Sequence, residues 1–83
     1  NPFRGTTDVR YSLPSDAAAT LAVVDVAGRV VRRLFDPKME EAGPHQVPWN
    51  GRNDEGAPVP AGMYRVQVVA NGTRQTGSVV LLR

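Results

Sequence analysis

The chain has 83 residues, no cysteine and a formal net charge of only +2 at pH 7. Without cysteine it has neither disulfides nor a thiolate metal site, and so small an excess of positive charge does not favour a nucleic-acid partner. No apolar run reaches the roughly 20 residues that a membrane span requires. This length suits one compact domain, so we expect a single domain over residues 1–83.

Alternating apolar and polar residues predict strands in the first half of the chain. In residues 6–13 the apolar side chains fall at every second position, and Pro14 ends the strand. A β-branched run over residues 20–26 and a return strand over residues 29–34 are predicted to form a hairpin through a two-residue Ala-Gly connection. Adjacent valines at 30 and 31 blur which face is buried, and a β-bulge is one explanation.

The second half begins with a polar segment, residues 36–44, which contains two prolines and is interpreted as a surface loop with at most one helical turn. A short strand is predicted over residues 45–49, at an edge or a strand end because of Pro48. A long turn region precedes a cleanly alternating strand over residues 63–70. Asn71-Gly72 is typical of a type I′ hairpin into a final strand. The whole pattern predicts an all-β sandwich or a small barrel.

Several residues are expected to stabilise the fold rather than to carry chemistry. Trp49 is the only tryptophan and should fill the space between two sheets, while Tyr64 offers a ring to the core and a hydroxyl that needs a partner. Asp25 can accept hydrogen bonds from turn amides, and Gly62 should allow close approach of a neighbouring strand. The full structural set is Asp25, Gly28, Trp49, Asn50, Gly51, Gly56, Gly62 and Tyr64.

One loop places several oxygen-bearing side chains together and is the only metal candidate. These side chains are Asn50, Asn53, Asp54 and Glu55. Their spacing does not match the twelve-residue calcium loop, so a turn capped by its own side chains is the preferred interpretation. His45 is the single histidine and cannot begin a zinc site alone. No catalytic group and no cofactor are predicted, because no Gly-x-Ser-x-Gly motif and only one imidazole are present.

A basic surface is a further candidate, formed by arginines spread over the chain. They are Arg29, Arg32, Arg33, Arg65 and Arg74. Nucleic-acid binding would need stacking aromatics among them, but the aromatic residues fall mostly at core-facing positions. A solvated face is the preferred interpretation, and an arginine surface for a protein partner stays open.

Five ordered blocks of sequence carry a resemblance over essentially the whole chain. They are Asn1-Pro2-Phe3 with Thr6-Thr7, then residues 23–34, residues 43–56 with Trp49-Asn50-Gly51, residues 59–66 with Gly62-Met63-Tyr64, and residues 79–83. These blocks resemble the C-terminal Ig-like domain of many secreted bacterial proteins. That family is close to the Ig-like domain of the flagellar hook-capping protein and overlaps the type A sorting domains of the type IX secretion system. The resemblance implies an immunoglobulin-like (fibronectin III-like) antiparallel β-sandwich of six to seven strands.

The resemblance also implies a function without catalysis. The first expectation is a C-terminal accessory or sorting domain of a secreted or cell-surface bacterial protein, appended to an extracellular enzyme. Its partners would be the parent enzyme and a type IX-like secretion machine. The start at Asn1 and the Leu81-Leu82-Arg83 ending are interpreted as those of a C-terminal module of a longer protein.

The recognition surface expected for this function is the terminal strand, which can pair with a receptor sheet by β-augmentation. Its residues are Ser78, Val79, Val80, Leu81, Leu82 and Arg83. One alternative is the Ig-like assembly domain of a flagellar hook cap. Another is a carbohydrate-binding module, which ranks third because few aromatics lie outside the predicted core. The sequence does not indicate an oligomeric state.

Overall fold

The structure is a computed structural model, and it describes residues 2–82. Its seven strands are β1 (Pro2–Phe3), β2 (Thr7–Leu13), β3 (Ala17–Val24), β4 (Val30–Glu40), β5 (Gly43–Trp49), β6 (Gly62–Ala70) and β7 (Thr73–Leu81). Five of them form one sheet in the order β1-β7-β6-β3-β4, and β2 pairs with β5 in a second sheet. The arrangement confirms the all-β, Ig-like sandwich. Across residues 2–82 we find no helix that could cross a membrane.

The core lies between the two sheets and is built from alternate residues of the strands. On β3, Leu21 and Val23 are fully buried, as the alternation predicts. On β2 the inward residues are Val9, Tyr11 and Leu13, which face them from the smaller sheet. Burial of one such aliphatic side chain contributes roughly 1.5–3 kcal/mol, so this layer of small side chains is the main source of stability.

The two predicted hairpins differ in outcome. Asn71 and Gly72 have φ angles of 51° and 73°, which confirms the type I′ turn between β6 and β7. The β3–β4 connection is longer than the predicted two residues, because β3 ends at Val24 and β4 begins at Val30. Its loop, residues 26–28, is closed by the Asp25 amide, which donates to the Arg29 carbonyl at 3.0 Å. Gly28 takes a φ of 86°, which fits the glycine position of a three-residue hairpin loop.

The interpretation of residues 36–44 as a loop is wrong. β4 continues to Glu40 and β5 begins at Gly43, so the strands leave only a two-residue connection and no helical turn. Leu21 pairs with Phe35 but Ala19 pairs with Lys38, so residues 36 and 37 form a bulge opposite one residue of β3. A bulge on an edge strand accommodates a proline without breaking the ladder.

The bulge suggested by the adjacent valines is confirmed at the start of β4. Val24 pairs with Val30 and Val23 pairs with Arg32, which leaves Val31 as the extra residue. Val30 is exposed, whereas Val31 packs partly buried against the core. The bulge therefore allows two successive valines to face different surroundings.

The sheets are not wholly antiparallel, because β1 pairs in parallel with the end of β7. Pro2 lies beside Val80 and Phe3 beside Leu81, and the Leu82 amide donates to the Phe3 carbonyl at 2.8 Å. A strand of two residues has no periodicity that a sequence pattern can detect. Its position follows from burial of the Phe3 ring in the core.

Candidate functional site

Three aromatic rings form the centre of the core at one end of the sandwich. Trp49 is 1% exposed, and its ring centroid lies 5.7 Å from that of Phe3 and 5.4 Å from that of Tyr64. The tilted and edge-on arrangements are those that aromatic pairs prefer. Trp49 therefore occupies the place between the sheets that the sequence predicts for it.

The polar atoms of these rings bind the chain that leads into β6. Trp49 Nε1 donates to the Arg52 carbonyl at 3.0 Å, and Tyr64 Oη donates to the Pro60 carbonyl at 2.6 Å. A tyrosine at the start of a strand, bonded to backbone a few residues upstream, matches the tyrosine corner of β-sandwiches. These two bonds hold the loop of residues 50–61 against the core.

The candidate metal loop uses its side chains as acceptors for backbone amides. Asn53 Oδ1 accepts from the amides of Glu55 and Ala57 at 3.0 and 2.9 Å, and Asn50 Oδ1 accepts from the Arg52 amide at 3.2 Å. Within residues 2–82 no three His, Cys, Asp or Glu side chains are grouped closely enough to hold a metal ion.

Asp54 in this loop has a role that the sequence did not suggest. Its Oδ1 accepts from the Arg33 amide at 2.8 Å, and its own amide donates to the Val31 carbonyl at 3.1 Å. Asp54 thus covers the outer edge of β4. The two segments are more than 20 residues apart, so no local pattern could have indicated the contact.

Three expected glycine roles can be compared with the backbone. Gly51 and Gly56 have φ angles of 71° and 83°, as expected for the turns of this loop. Gly62 was expected to allow close approach of a neighbour, and this is wrong: a Cβ there would meet nothing within 4 Å. Its φ of 152° gives the reason for glycine at the start of β6.

Asp25 organises the β3–β4 hairpin through its carboxylate. Oδ1 accepts from the amides of Ala27 and Arg29 at 2.9 and 3.0 Å, and Arg29 Nε donates to Oδ2 at 3.1 Å. The hydrogen bond from the Arg29 amide, followed by that from Ala27 and the guanidinium, holds the pKa of Asp25 below its usual value. The predicted turn acceptor is therefore present and ionised at neutral pH.

His45 and Tyr11 form a pair that links the two strands of the smaller sheet. Their rings stack with centroids 5.1 Å apart, and His45 Nε2 donates to the Glu41 carbonyl at 2.6 Å. The buried Tyr11 hydroxyl has no hydrogen-bond partner within residues 2–82. Burial, with a smaller effect of the Glu40 charge, raises the pKa of Tyr11.

The arginines do not form one basic stripe. Arg29 is bound by Asp25, and Arg32 Nη1 donates to the Asn53 carbonyl at 3.2 Å. The register places Arg33, Arg65 and Arg74 on the outer face of the five-stranded sheet, beside residues that alternate with the core positions. Of the five candidate arginines, Arg33, Arg65 and Arg74 therefore share one outer face.

The last residues of the terminal strand β7 do not have the free backbone edge that β-augmentation requires. β1 occupies the outer edge of β7 beside Val80 and Leu81, and Leu81 is 1% exposed in the core. The edge of β7 without a neighbouring strand lies earlier, over residues 73–78. Arg83 lies outside the described residues.

The aromatic side chains leave no platform for sugar rings within the described part of the chain. Phe3, Tyr11, Trp49 and Tyr64 are buried, and Phe35 packs partly buried against the core. Carbohydrate-binding modules of this size stack sugars on exposed rings, so the structure gives the third-ranked function no support.

The comparison with protein families decides the relationship. The model of the FlgD Ig-like domain matches residues 3–74, most of the chain. The chain belongs to the FlgD Ig-like domain family. Two relatives are the basal-body rod modification proteins FlgD of Salmonella typhimurium and Salmonella typhi, each 37% identical over 68 residues. The alignment covers 81% of this chain and only 28% of each relative, so the FlgD Ig-like domain is a minor part of those proteins.

A solved structure shares the fold of this FlgD Ig-like domain. The crystal structure of dimeric latent PorU from Porphyromonas gingivalis matches with a TM-score of 0.72 and 21% sequence identity. The match covers 99% of this chain and 8% of that one. This structural similarity establishes the architecture of the chain, because the match includes nearly every described residue.

Proposed function

We propose that this chain is a non-catalytic assembly domain of a flagellar hook-capping protein and acts through contacts with other proteins. The observation that carries the proposal is the 37% identity to the basal-body rod modification proteins FlgD, together with the family match over residues 3–74. The core is filled by apolar side chains, and the polar loop residues bind backbone groups, so strand edges and outer faces are what remain for recognition.

The sorting-domain function, which the resemblance placed first, is the competing proposal. Its support is the likeness of fold to part of PorU, at an identity that speaks for architecture alone. It would make the chain a C-terminal signal read by a type IX-like secretion machine, on a secreted or cell-surface protein. The hook-cap proposal has the stronger support because it rests on sequence identity as well as fold.

A domain exchange tests the hook-cap proposal. In Salmonella typhimurium, the aligned 68-residue segment of FlgD is replaced by the corresponding segment of this chain. We expect cells with the exchanged segment to swim in soft agar, and cells with the segment deleted to be impaired. A matched control carries Trp49→Ala, which opens a large cavity in the core and should abolish the rescue.

Two results would count against the hook-cap proposal. The first is normal swimming after deletion, which would make the domain dispensable for assembly. The second is failure of an exchanged protein that is present at normal levels. Export of a reporter fused ahead of this chain in Porphyromonas gingivalis, absent with the Trp49→Ala variant, would support the sorting function instead.

A further inference from the structure

A cleft of about 570 Å³ lies between β2 and β7, where the smaller sheet leaves part of the larger one uncovered. Residues 75–78 of β7 and the partly buried Val79 line its floor, below which Val66 and Val68 are buried, and residues 6–11 form one wall. Residues 73–78 of β7 are exposed on both faces, although Val66 and Val68 on β6 beside them are buried. The larger sheet therefore extends beyond β2, with room above β7 for one more strand in the smaller sheet.

The backbone edge of β2 that faces this cleft has unused hydrogen-bonding groups. Pro48 lies opposite Asp8 in the β2–β5 ladder. Because proline has no amide to donate, this is a non-hydrogen-bonded pair, and the backbone groups of Asp8, Arg10 and Ser12 point away from β5. The Ser12 carbonyl accepts from Gln75 Nε2 at 2.8 Å across the cleft, which supports this direction. Beside Asp8 and Arg10, the described residues provide no neighbouring strand.

Parts of the other outer edges carry features that oppose strand addition. On β5 the outward positions are Pro44, Gln46 and Pro48, so two of the three amides are missing. On β4 the loop residue Asp54 bonds to the backbone at Val31 and Arg33, and on β7 the last two residues of the strand pair with β1, whereas residues 73–78 have no neighbouring strand. Prolines and covering segments are the usual protection of natural sheet edges. The edge of β2 lacks both kinds of protection, as does the edge of β7 over residues 73–78.

We propose that the cleft binds one extended strand of a partner protein, which hydrogen-bonds to β2 at Asp8 and Arg10 and places alternate small side chains in the cleft against β7. The inference goes beyond the proposed function and does not depend on it. The side chains of Asp8 and Arg10 are exposed, so an antiparallel partner strand fits best with a basic residue opposite the first and an acidic residue opposite the second.

A second copy of this chain does not fit the same place. Antiparallel pairing of two β2 strands relates them by a two-fold axis perpendicular to the sheet, which puts both larger sheets on the same side. β7 already extends beneath the open position, so the two larger sheets would overlap in space. The occupant is therefore a single strand with no sheet behind it, such as an extended terminus or loop.

The test uses a peptide that carries these features. The probe is an acetylated and amidated peptide, Thr-Val-Glu-Val-Lys-Val-Thr, titrated into the ¹⁵N-labelled chain and followed by amide chemical shifts. We expect saturable shifts confined to residues 6–12 and 75–79. The matched control peptide, Thr-Val-Lys-Val-Glu-Val-Thr, exchanges the two charges and should bind at least about threefold more weakly.

Three variants of the chain separate edge pairing from non-specific association. Arg10→Pro removes an amide from the free edge and should weaken binding at least about fivefold. Gln46→Pro makes the same change on the opposite strand, where the amide faces the other edge, and should leave the affinity unchanged. Gly77→Val is a second blocking variant: a Cβ there meets nothing within 4 Å, so the fold should persist while the side chain fills the cleft.

Three outcomes would overturn the proposal. One is the absence of saturable shifts at about 1 mM peptide. Another is an equal loss of affinity in the Gln46→Pro variant, or undiminished affinity in Gly77→Val. The third is a dimer in analytical ultracentrifugation whose contact protects the Arg10 amide, because the occupant would then be a second copy. Binding that is lost in Arg10→Pro and Gly77→Val but retained in Gln46→Pro would establish the strand site.

Discussion

At the scale of single residues, the hydroxyl groups of the two buried tyrosines differ in whether they have a hydrogen-bond partner. Tyr64 Oη donates to the Pro60 carbonyl at 2.6 Å, whereas Tyr11 Oη is buried without a partner in the described residues. A typical intramolecular hydrogen bond contributes about 0.5–1.5 kcal/mol, and an unsatisfied buried group costs about 1–3 kcal/mol. Removal of each hydroxyl should therefore have different consequences.

We expect Tyr64→Phe to lower the free energy of unfolding by about 1 kcal/mol, because the bond to the Pro60 carbonyl is lost. Tyr11→Phe should leave that free energy unchanged or raise it by up to about 1 kcal/mol. Urea denaturation followed by Trp49 fluorescence measures both. A clear loss of stability in Tyr11→Phe would contradict the account, since it would mean that the hydroxyl has a partner.

Tyr11 also makes the folded state less stable at alkaline pH. Burial raises the pKa of Tyr11 above its usual 10.0, so the folded chain holds this proton more tightly than the unfolded chain. The contribution of Tyr11 to the free energy of unfolding is constant below pH 10. It decreases as the pH rises through the pKa that Tyr11 has in the folded chain. Measured from pH 8 to about 11, the wild type should lose more stability than Tyr11→Phe. Parallel curves would contradict this.

At the scale of elements, the β3–β4 hairpin depends on the Asp25 carboxylate. Its pKa is lowered, first by the hydrogen bond from the Arg29 amide, so the stabilisation is complete above the usual value of 3.8 and is lost as the pH falls below it. Asp25→Ala should therefore be less stable than the wild type at pH 7, and the difference should shrink below about pH 4. Thermal unfolding at several pH values tests this.

A matched control for Asp25→Ala is Glu55→Ala, at a nearby exposed acidic residue whose side chain makes no described hydrogen bond. It should change the free energy of unfolding by less than about 0.5 kcal/mol at pH 7. A difference between Asp25→Ala and wild type that stays constant with pH would contradict the role of the ionised carboxylate.

The end of β7 is needed for the stability of the fold, whether or not it also takes part in recognition. Leu81 is 1% exposed beside β1 and β6, whereas Leu82 is 37% exposed. Leu81→Ala should lower the free energy of unfolding by about 2–5 kcal/mol, and Leu82→Ala should change it by less than about 0.5 kcal/mol. Chemical denaturation of the two variants checks this. Equal effects would contradict the register of β7.

This difference also affects how a terminal recognition strand can be tested. Deletion of residues 78–83 removes Leu81 from the core, so a loss of export after such a deletion would not separate recognition from unfolding. Substitution of exposed residues, such as Ser78 and Leu82, leaves the core intact and is the better test of the sorting function.

Local patterns predicted those elements whose structure is set by local periodicity. β2 and β6 alternate along their whole length and were predicted within about one residue, and Asn71-Gly72 predicted its turn. The end of β4 was missed because Asp36-Pro37 looks like a strand break, while the actual bulge depends on pairing with β3. β1 was missed because only tertiary contacts make those two residues a strand.

At the scale of the whole molecule, the sequence predicted two layers and a central tryptophan but not the unequal width of the sheets. Sheet width depends on which strands pair over long distances, and no residue pattern encodes that directly. The loop of residues 50–59 shows the same limit: its polar residues suggested turns, but not the contact of Asp54 with β4. The cleft beside β2 is a consequence of pairing and so was invisible in the sequence.

Because the two sheets differ in width, a small domain whose core is filled can still present a specific binding surface. The core occupies the space between the layers, and the β2 edge beside the cleft keeps backbone groups free for hydrogen bonding.

Amide hydrogen exchange along β2 tests the central claim, a five-plus-two sandwich in which the edge of β2 beside the cleft is open, most directly. In the free chain, the amides of Val9 and Tyr11 should exchange slowly, because they pair with β5, and the amides of Asp8 and Arg10 should exchange quickly, because they face the cleft. Alternating fast and slow exchange would support the register and the open edge. Uniform protection of these four amides would contradict it, since β2 would then have a neighbour on both sides.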